Sequence, residues 1–402
     1  TQHGLIVRAG RSSHPWPSAS ANLEIINLWA SRAPVSPSGS RTLDGEDVPT
    51  IGPDLEPIGR VSGRPFPLAE NQNLGFIGSY VLGLGFTLTL DQAAALITKN
   101  SRNAEALQPY VIGQDLNQRP DHSASRWVIN FRDWPLDRIL APPGHTGPVA
   151  GDYPDCLRIV NDRVRPERQK QNRKVRADRW WQFGDRAPAL CTAAAALPRV
   201  LAISLVNNHL GFAFLPSHIV FAHKLCVFTL DQCDALCILQ SHLHYNWAWR
   251  YSSTMRTDIN YSPSDCFETF PLPLGDRSPL TALGEAYHEH RRQIMLARQE
   301  GLTTTYNRFH NPDERAADIA RLRQLHVEMD RAVAAAYGWS DLDLGHGFHE
   351  TAQGVRFTIS EAARREVLGR LLELNHQRYA EEVAAGLHEK GKARRGKAVA
   401  AI

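Results

Sequence analysis

Between Arg158 and Arg186 the chain carries ten Lys/Arg against four Asp/Glu, a net of +6 in a protein whose whole formal charge is +3. Arg165, Arg168, Lys170, Arg173, Lys174, Arg176 and Arg179 are candidates to neutralise phosphates. The paired aromatics Trp180 and Trp181 that follow could stack on a base or wedge against it. Such a run is the composition of a surface built for a phosphate backbone. The plainer alternative is a solvated basic segment with the tryptophans plugged into the core. A second polar cluster, residues 250–257, follows Trp247 and Trp249. Its Arg250, Thr254 and Arg256 are of the types that read base edges in the major groove.

Other chemistries lack their residues. The one glycine-rich candidate turn, Gly83-Leu84-Gly85-Phe86, has no third glycine and no acidic residue about 20 positions on, so it does not make a nucleotide or S-adenosylmethionine loop. There is no P-loop. Ala141-Pro142-Pro143-Gly144 lacks the amide or carboxylate and the aromatic that would hold an exocyclic amine for methylation. Cys226, Cys233, Cys237, His242 and His244 fall close together, but their spacing matches no standard zinc site, and no metal site is assigned. With no G-x-S-x-G and no acidic pair followed by E-x-K, no catalytic residue is assigned.

The elements that must position these residues are of an α+β protein. Residues 1–72 are rich in Pro, Ser and Gly around one apolar strand, Leu23–Trp29. Residues 73–275 mix short strands (Tyr80–Leu90, Trp127–Phe131, Arg199–Val206, His209–Leu215, Ile219–Leu230) with helices. Asp91 is expected to cap a helix over Gln92–Thr98, and Asp231–Tyr251 reads as one helix from the spacing of Leu236, Leu239, Leu243 and Trp247. Residues 276–388 read as a helical domain. Leu280–Gln299 is one helix. Asn311-Pro312-Asp313-Glu314 is expected as a capping box for a second that Gly338 ends, and Ser360 caps a third to about Leu387. The tail 389–402, with five Lys/Arg between Lys390 and Lys397, reads as disordered, either a solubilising end or a segment that touches nucleic acid non-specifically.

Bulk composition bounds the rest. At 402 residues, 43% hydrophobic and 22% charged, the chain is an ordinary multidomain globular protein. No apolar run approaches the roughly 20 residues that cross a bilayer. Six cysteines without a C-x-x-C pair point to reduced thiols and the cytoplasm. The start at Thr1, without Met or signal peptide, reads as a fragment or a trimmed product.

The order of the segments carries more than any one of them. Asn73–Leu90 leads to Pro109–Asn117 (PYVIGQDLN), Arg126–Phe131 (RWVINF), Val164–Arg168 (VRPER), Trp180–Gly184 (WWQFG), Leu239–His242 (LQSH) and Tyr261–Pro271 (YSPSDCFETFP). This series resembles the target-recognition and C-terminal part of MmeI-like class I S-adenosylmethionine-dependent DNA adenine methyltransferases of bacterial restriction-modification and phage-defence systems. Trp16–Trp29 is similar to the last strands of their methyltransferase domain. Thr305–Asn307, Ala336–Trp339 and Leu374–His376 are similar to their helical C-terminus.

The resemblance implies adenine-N6 methylation by the complete enzyme. In that family the cofactor-binding glycine motif and the Asn-Pro-Pro-aromatic motif lie upstream of the part present here. This chain would then bind no S-adenosylmethionine itself. It would supply double-stranded DNA docking and sequence choice, with catalysis brought by a missing or separate methyltransferase domain. A rival reading is a protein-interaction module that docks a separate methyltransferase or nuclease subunit.

Overall fold

The computed structural model describes residues 6–15, 24–32, 41–43, 45–48, 51, 63–170, 173–255, 258–351 and 353–388. The basic tail, Arg256 and residues 52–62 of the Pro-, Ser- and Gly-rich N-terminal region lie outside them.

The architecture is α+β, as the sequence implied. Four strands form the central antiparallel sheet, in the order Ala213–Pro216, Arg199–Ser204, Leu225–Phe228, Gly75–Ile77. A second sheet runs Val220–Phe221, Leu107–Val111, Arg126–Ile129, Thr87–Leu88, with its first pair parallel. The segment read as one strand over 219–230 is therefore two. Its first half pairs with Leu107–Val111. A turn closed by the Leu225 N–H on the Ala222 carbonyl (2.8 Å) then sends the second half into the central sheet. Near the N-terminus, Ile6–Pro15 pairs antiparallel with Glu24–Ser31 and parallel with Arg41–Leu43.

Several boundaries differ from the sequence reading, each for a local reason. Tyr80–Leu90 is mostly irregular, with only Thr87–Leu88 as strand. The next helix, Leu90–Lys99, is capped by Thr89 and not by Asp91: Thr89 Oγ1 accepts the Gln92 N–H, and Gln92 Oε1 accepts the Thr89 N–H. The helix expected over 231–251 breaks at Ser241 into Cys233–Gln240 and His242–Tyr251. Ser241 is extended, and its Oγ caps the second piece through the His244 N–H. Asn311-Pro312-Asp313-Glu314 is not a capping box. Asn311 ends a short helix, Leu302–His310, and the long helix Ala317–Ala336 begins only after it. Glu314 instead binds Arg308 at 2.9 Å. The region read as all helical also holds a hairpin, Gly347–Thr351 with Gly354–Thr358.

The helical part does not keep a core of its own. Val200 and Leu225 of the central sheet and Trp247 share one buried cluster with Leu280, Tyr287, Ile319 and Leu371. Helix Ser278–Arg298 approaches helix Cys233–Gln240 so closely that a Cβ on Gly284 would overlap the Cys233 carbonyl. A second cluster, built on the second sheet, lies beneath the basic run and includes Phe86, Ile129, Trp134, Tyr153, Trp180 and Trp181.

Candidate nucleic-acid interface

The basic run folds as three short helices, Pro154–Arg163, Arg165–Gln169 and Lys174–Asp178. Proline divides the first two, because Pro166 has no N–H to continue the ladder and is tolerated only in a first turn. Cys156, Val160, Val164 and Arg168 recur every four residues and are all buried, so this stripe seats the helices on the second core. Arg158, Arg163 and Arg165 fall off the stripe and are exposed.

That geometry sorts the candidates. Lys170, Arg173, Lys174 and Arg179 are exposed and Arg176 half-buried; among the described residues none has a carboxylate within ion-pair distance. Arg165 is exposed, donates to Asn161 Oδ1 at 3.1 Å and covers the Trp180 ring at 5.2 Å. Arg176, Arg179 and Arg186 line a cleft of about 230 Å³ with the exposed Val175. Free cations on one segment, over a rigid core, can accept a polyanion.

Three candidates do not belong to this surface. Arg168 sits on the buried stripe and is 2% exposed. Its guanidinium donates to the carbonyls of Gln182 (2.5 Å), Leu82 (3.1 Å), Val81 (3.2 Å) and Arg179 (3.4 Å). Burial pulls its pKa down to about 10, so it stays charged and ties two loops together at neutral pH. Trp180 and Trp181 are core residues, at 7% and 6% exposure, with their rings edge to face at 6.0 Å. Trp181 Nε1 donates to the Trp134 carbonyl at 2.9 Å. For these two the plainer alternative holds. Neither ring can meet a base without leaving the core.

The second cluster is a hairpin, not a loop. Ser253–Met255 pairs with Asp258–Asn260, which in turn pairs with Val206–Asn207. Thr254 lies in the first strand opposite Ile259, and Arg256 lies outside the described residues. Arg250 is half-buried at the preceding helix end. It lines a separate cavity of about 550 Å³ together with His209, Tyr245, Trp249, His326 and Arg356.

The glycine turn has a packing explanation. A Cβ on Gly85 would meet Arg163 Cβ at 2.6 Å and Val164 Cγ2 at 2.7 Å. Gly85 thus allows the first basic helix to close on the 84–86 turn. The cysteines likewise fail to join the histidines. His242 meets His326, Asp330 and His346 instead, residues far along the chain, and Asp330 is held well below the usual carboxylate range. Burial opposes that ionisation, and the surrounding imidazoles overcome it. Burial, reinforced by His242, pushes His326 down to about 3. Sequence reasoning missed this group; its one local trace is the four-residue spacing of His326 and Asp330 on a single helix.

The family model of the MmeI target recognition domain matches residues 61–274. The chain belongs to that family. The match spans both sheets, the basic helices and the hairpin. Among solved structures, the type IIL restriction-modification enzyme MmeI in complex with DNA is similar, with a TM-score of 0.60 at 15% identity. The similarity covers 94% of this chain and 46% of that one, so the chain spans less than half of the enzyme's length. No curated protein sequence matches. Among the described residues no helix is long and apolar enough to cross a membrane.

Proposed function

We propose that this chain is the sequence-recognition portion of a restriction-modification or phage-defence DNA methyltransferase that modifies adenine N6. The observation that carries the reading is the set of exposed cations Lys170, Arg173, Lys174 and Arg179, none of them ion-paired among the described residues, inside the segment matched by a target-recognition family. These residues grip phosphates of duplex DNA and set the register of the protein on it, carrying no sequence information themselves. Base choice is assigned to the segment around residues 250–260, at the edge of a three-stranded sheet, because its Arg250 and Thr254 are of the types that read base edges. The reaction takes place in the cytoplasm, where the DNA is.

The residues present do not fit S-adenosylmethionine, since the one glycine turn lacks the third glycine and the acidic residue of such a loop, and a helix closes on it. Methyl transfer is therefore assigned to a methyltransferase domain outside this chain, and no step of it is derived from these residues. The N-terminal sheet is a candidate place for such a domain: on strand Glu24–Ser31, Ile26 and Leu28 are 56% and 52% exposed on one face and Trp29 54% on the other, among the described residues. An apolar row of this kind is uncommon without a covering partner.

The test is binding of the chain to a random duplex pool at two salt concentrations. Salt-sensitive enrichment of one motif supports a self-sufficient recognition unit. Weak binding without sequence preference places part of recognition in the methyltransferase domain. No binding at either salt refutes the reading and favours an interaction module, which a salt- and nuclease-resistant pull-down would then identify.

A further inference from the structure

Three separate elements converge on one buried carboxylate. Asp330 lies in helix Ala317–Ala336 and is 0% exposed. His242, in the first turn of helix His242–Tyr251, places Nδ1 at 2.7 Å from Asp330 Oδ2 and donates its backbone N–H to Oδ1 at 2.7 Å. His346, just before the Gly347–Thr351 strand, places Nε2 at 2.8 Å from the same Oδ2. His326, one turn before Asp330 on the same helix face, aims Nε2 at Oδ1 from 3.9 Å.

That last distance is the informative one. It is too long for a hydrogen bond. His326 is 3% exposed, and its Nε2 has no hydrogen-bond partner among the described residues. A buried polar atom left this way calls for an explanation, an ion among them. Its Nδ1 is held by Tyr287 Oη at 3.3 Å, the kind of outer contact that fixes the ring of a metal-ligating histidine.

We infer that His242, His326 and Asp330 bind a divalent first-row transition ion of the Zn2+ class, with His346 as the adjoining fourth protein group. The ligand atoms of the three lie within 4.8 Å of one another. Bonds of about 2.0–2.2 Å in a tetrahedron place ligand atoms roughly 3.3 Å apart, a spacing that small side-chain rotations reach from here. Imidazole nitrogens with a single carboxylate select this class over Ca2+ or Mg2+, which take oxygen. The cavity of about 550 Å³ touches both His242 and His326 and gives an entry path. His242 belongs to the family-matched part, whereas Asp330, 88 residues on, and His326 belong to the C-terminal helices. The ion would therefore staple the recognition part to the helical part.

The test uses the full chain, produced in zinc-supplemented medium and desalted. About one equivalent of zinc by elemental analysis is expected, as for a closed protein site. Stripping with 1,10-phenanthroline should lower the thermal midpoint, and Zn2+ alone should restore it. Co2+ loaded into the stripped chain should give visible d–d bands. His326→Gln and Asp330→Asn should lose the metal, while His223→Gln, at a half-buried ring outside the cluster, should keep it. Because the Asp330 variant could unfold, the stripped wild-type chain is the deciding sample. A folded wild-type chain that carries no zinc and takes up neither Zn2+ nor Co2+ overturns the inference. Metal retained by a folded His326→Gln variant overturns this ligand set.

Discussion

Replacing Lys170, Arg173, Lys174 and Arg179 together by alanine separates docking from folding. The four side chains are exposed, and among the described residues none is paired with a carboxylate, so their loss leaves the core untouched. Surface changes of this kind shift stability by no more than about 0.5 kcal/mol each. If each contacts one phosphate, the slope of log affinity against log salt becomes shallower by about 0.9 per contact, or roughly 3.6 for four. Between 50 and 200 mM salt the wild-type chain should then lose affinity about 150-fold more steeply than the variant. The assay is fluorescence anisotropy on a labelled random duplex, with circular dichroism to show that the variant is folded. Weakening should be uniform across sequences, because phosphates carry no sequence information. A folded variant whose salt slope changes by less than one contact's worth would refute the assignment of this segment as the docking surface.

Further expectations follow from the buried groups. Arg168→Ala should destabilise the fold instead of altering the salt slope: four carbonyls lose a charged donor, a cost of roughly 3 kcal/mol or more, visible as a lower urea midpoint. Trp181→Phe removes the indole N–H donor, while Gln182 Nε2 still donates to the Trp134 carbonyl at 3.0 Å, and should cost about 1 kcal/mol without weakening DNA binding at low temperature. Burial, aided by Arg356, holds His209 at about 4, below the 6.5 of an unfolded histidine. Its contribution to stability is thus complete above pH 6.5 and declines as pH falls toward 4. Between neutral pH and pH 5 it should account for about 2 kcal/mol of lost stability. His209→Gln should flatten the pH dependence of the urea midpoint by that amount, and an unchanged profile would count against a neutral His209. Gly284→Ala should force helix Ser278–Arg298 away from Cys233, lowering the midpoint by about 1–3 kcal/mol despite alanine's better helix propensity.

The sequence by itself determined the class, the family resemblance and the basic segment. Composition and the order of short motifs survive without coordinates, and a net charge of +6 over Arg158–Arg186 is a local property. Helices with strong local signals, such as the one opened by Ser360, were legible for the same reason. Tertiary structure decided which members of the basic run face water. Arg168 resembles its neighbours in type, yet the stripe Cys156–Val160–Val164–Arg168 turns it inward, where carbonyls from two loops take its charge. The four-residue period was present in the sequence, but the identity of the fourth residue concealed it. Trp180 and Trp181 were ambiguous because an aromatic pair stacks on a base or fills a core equally well; only the Trp134 carbonyl and the surrounding cluster settle the matter. The histidine–aspartate cluster was least legible. Its members span more than a hundred residues, and proximity over such separations exists only once helices and hairpin are packed together.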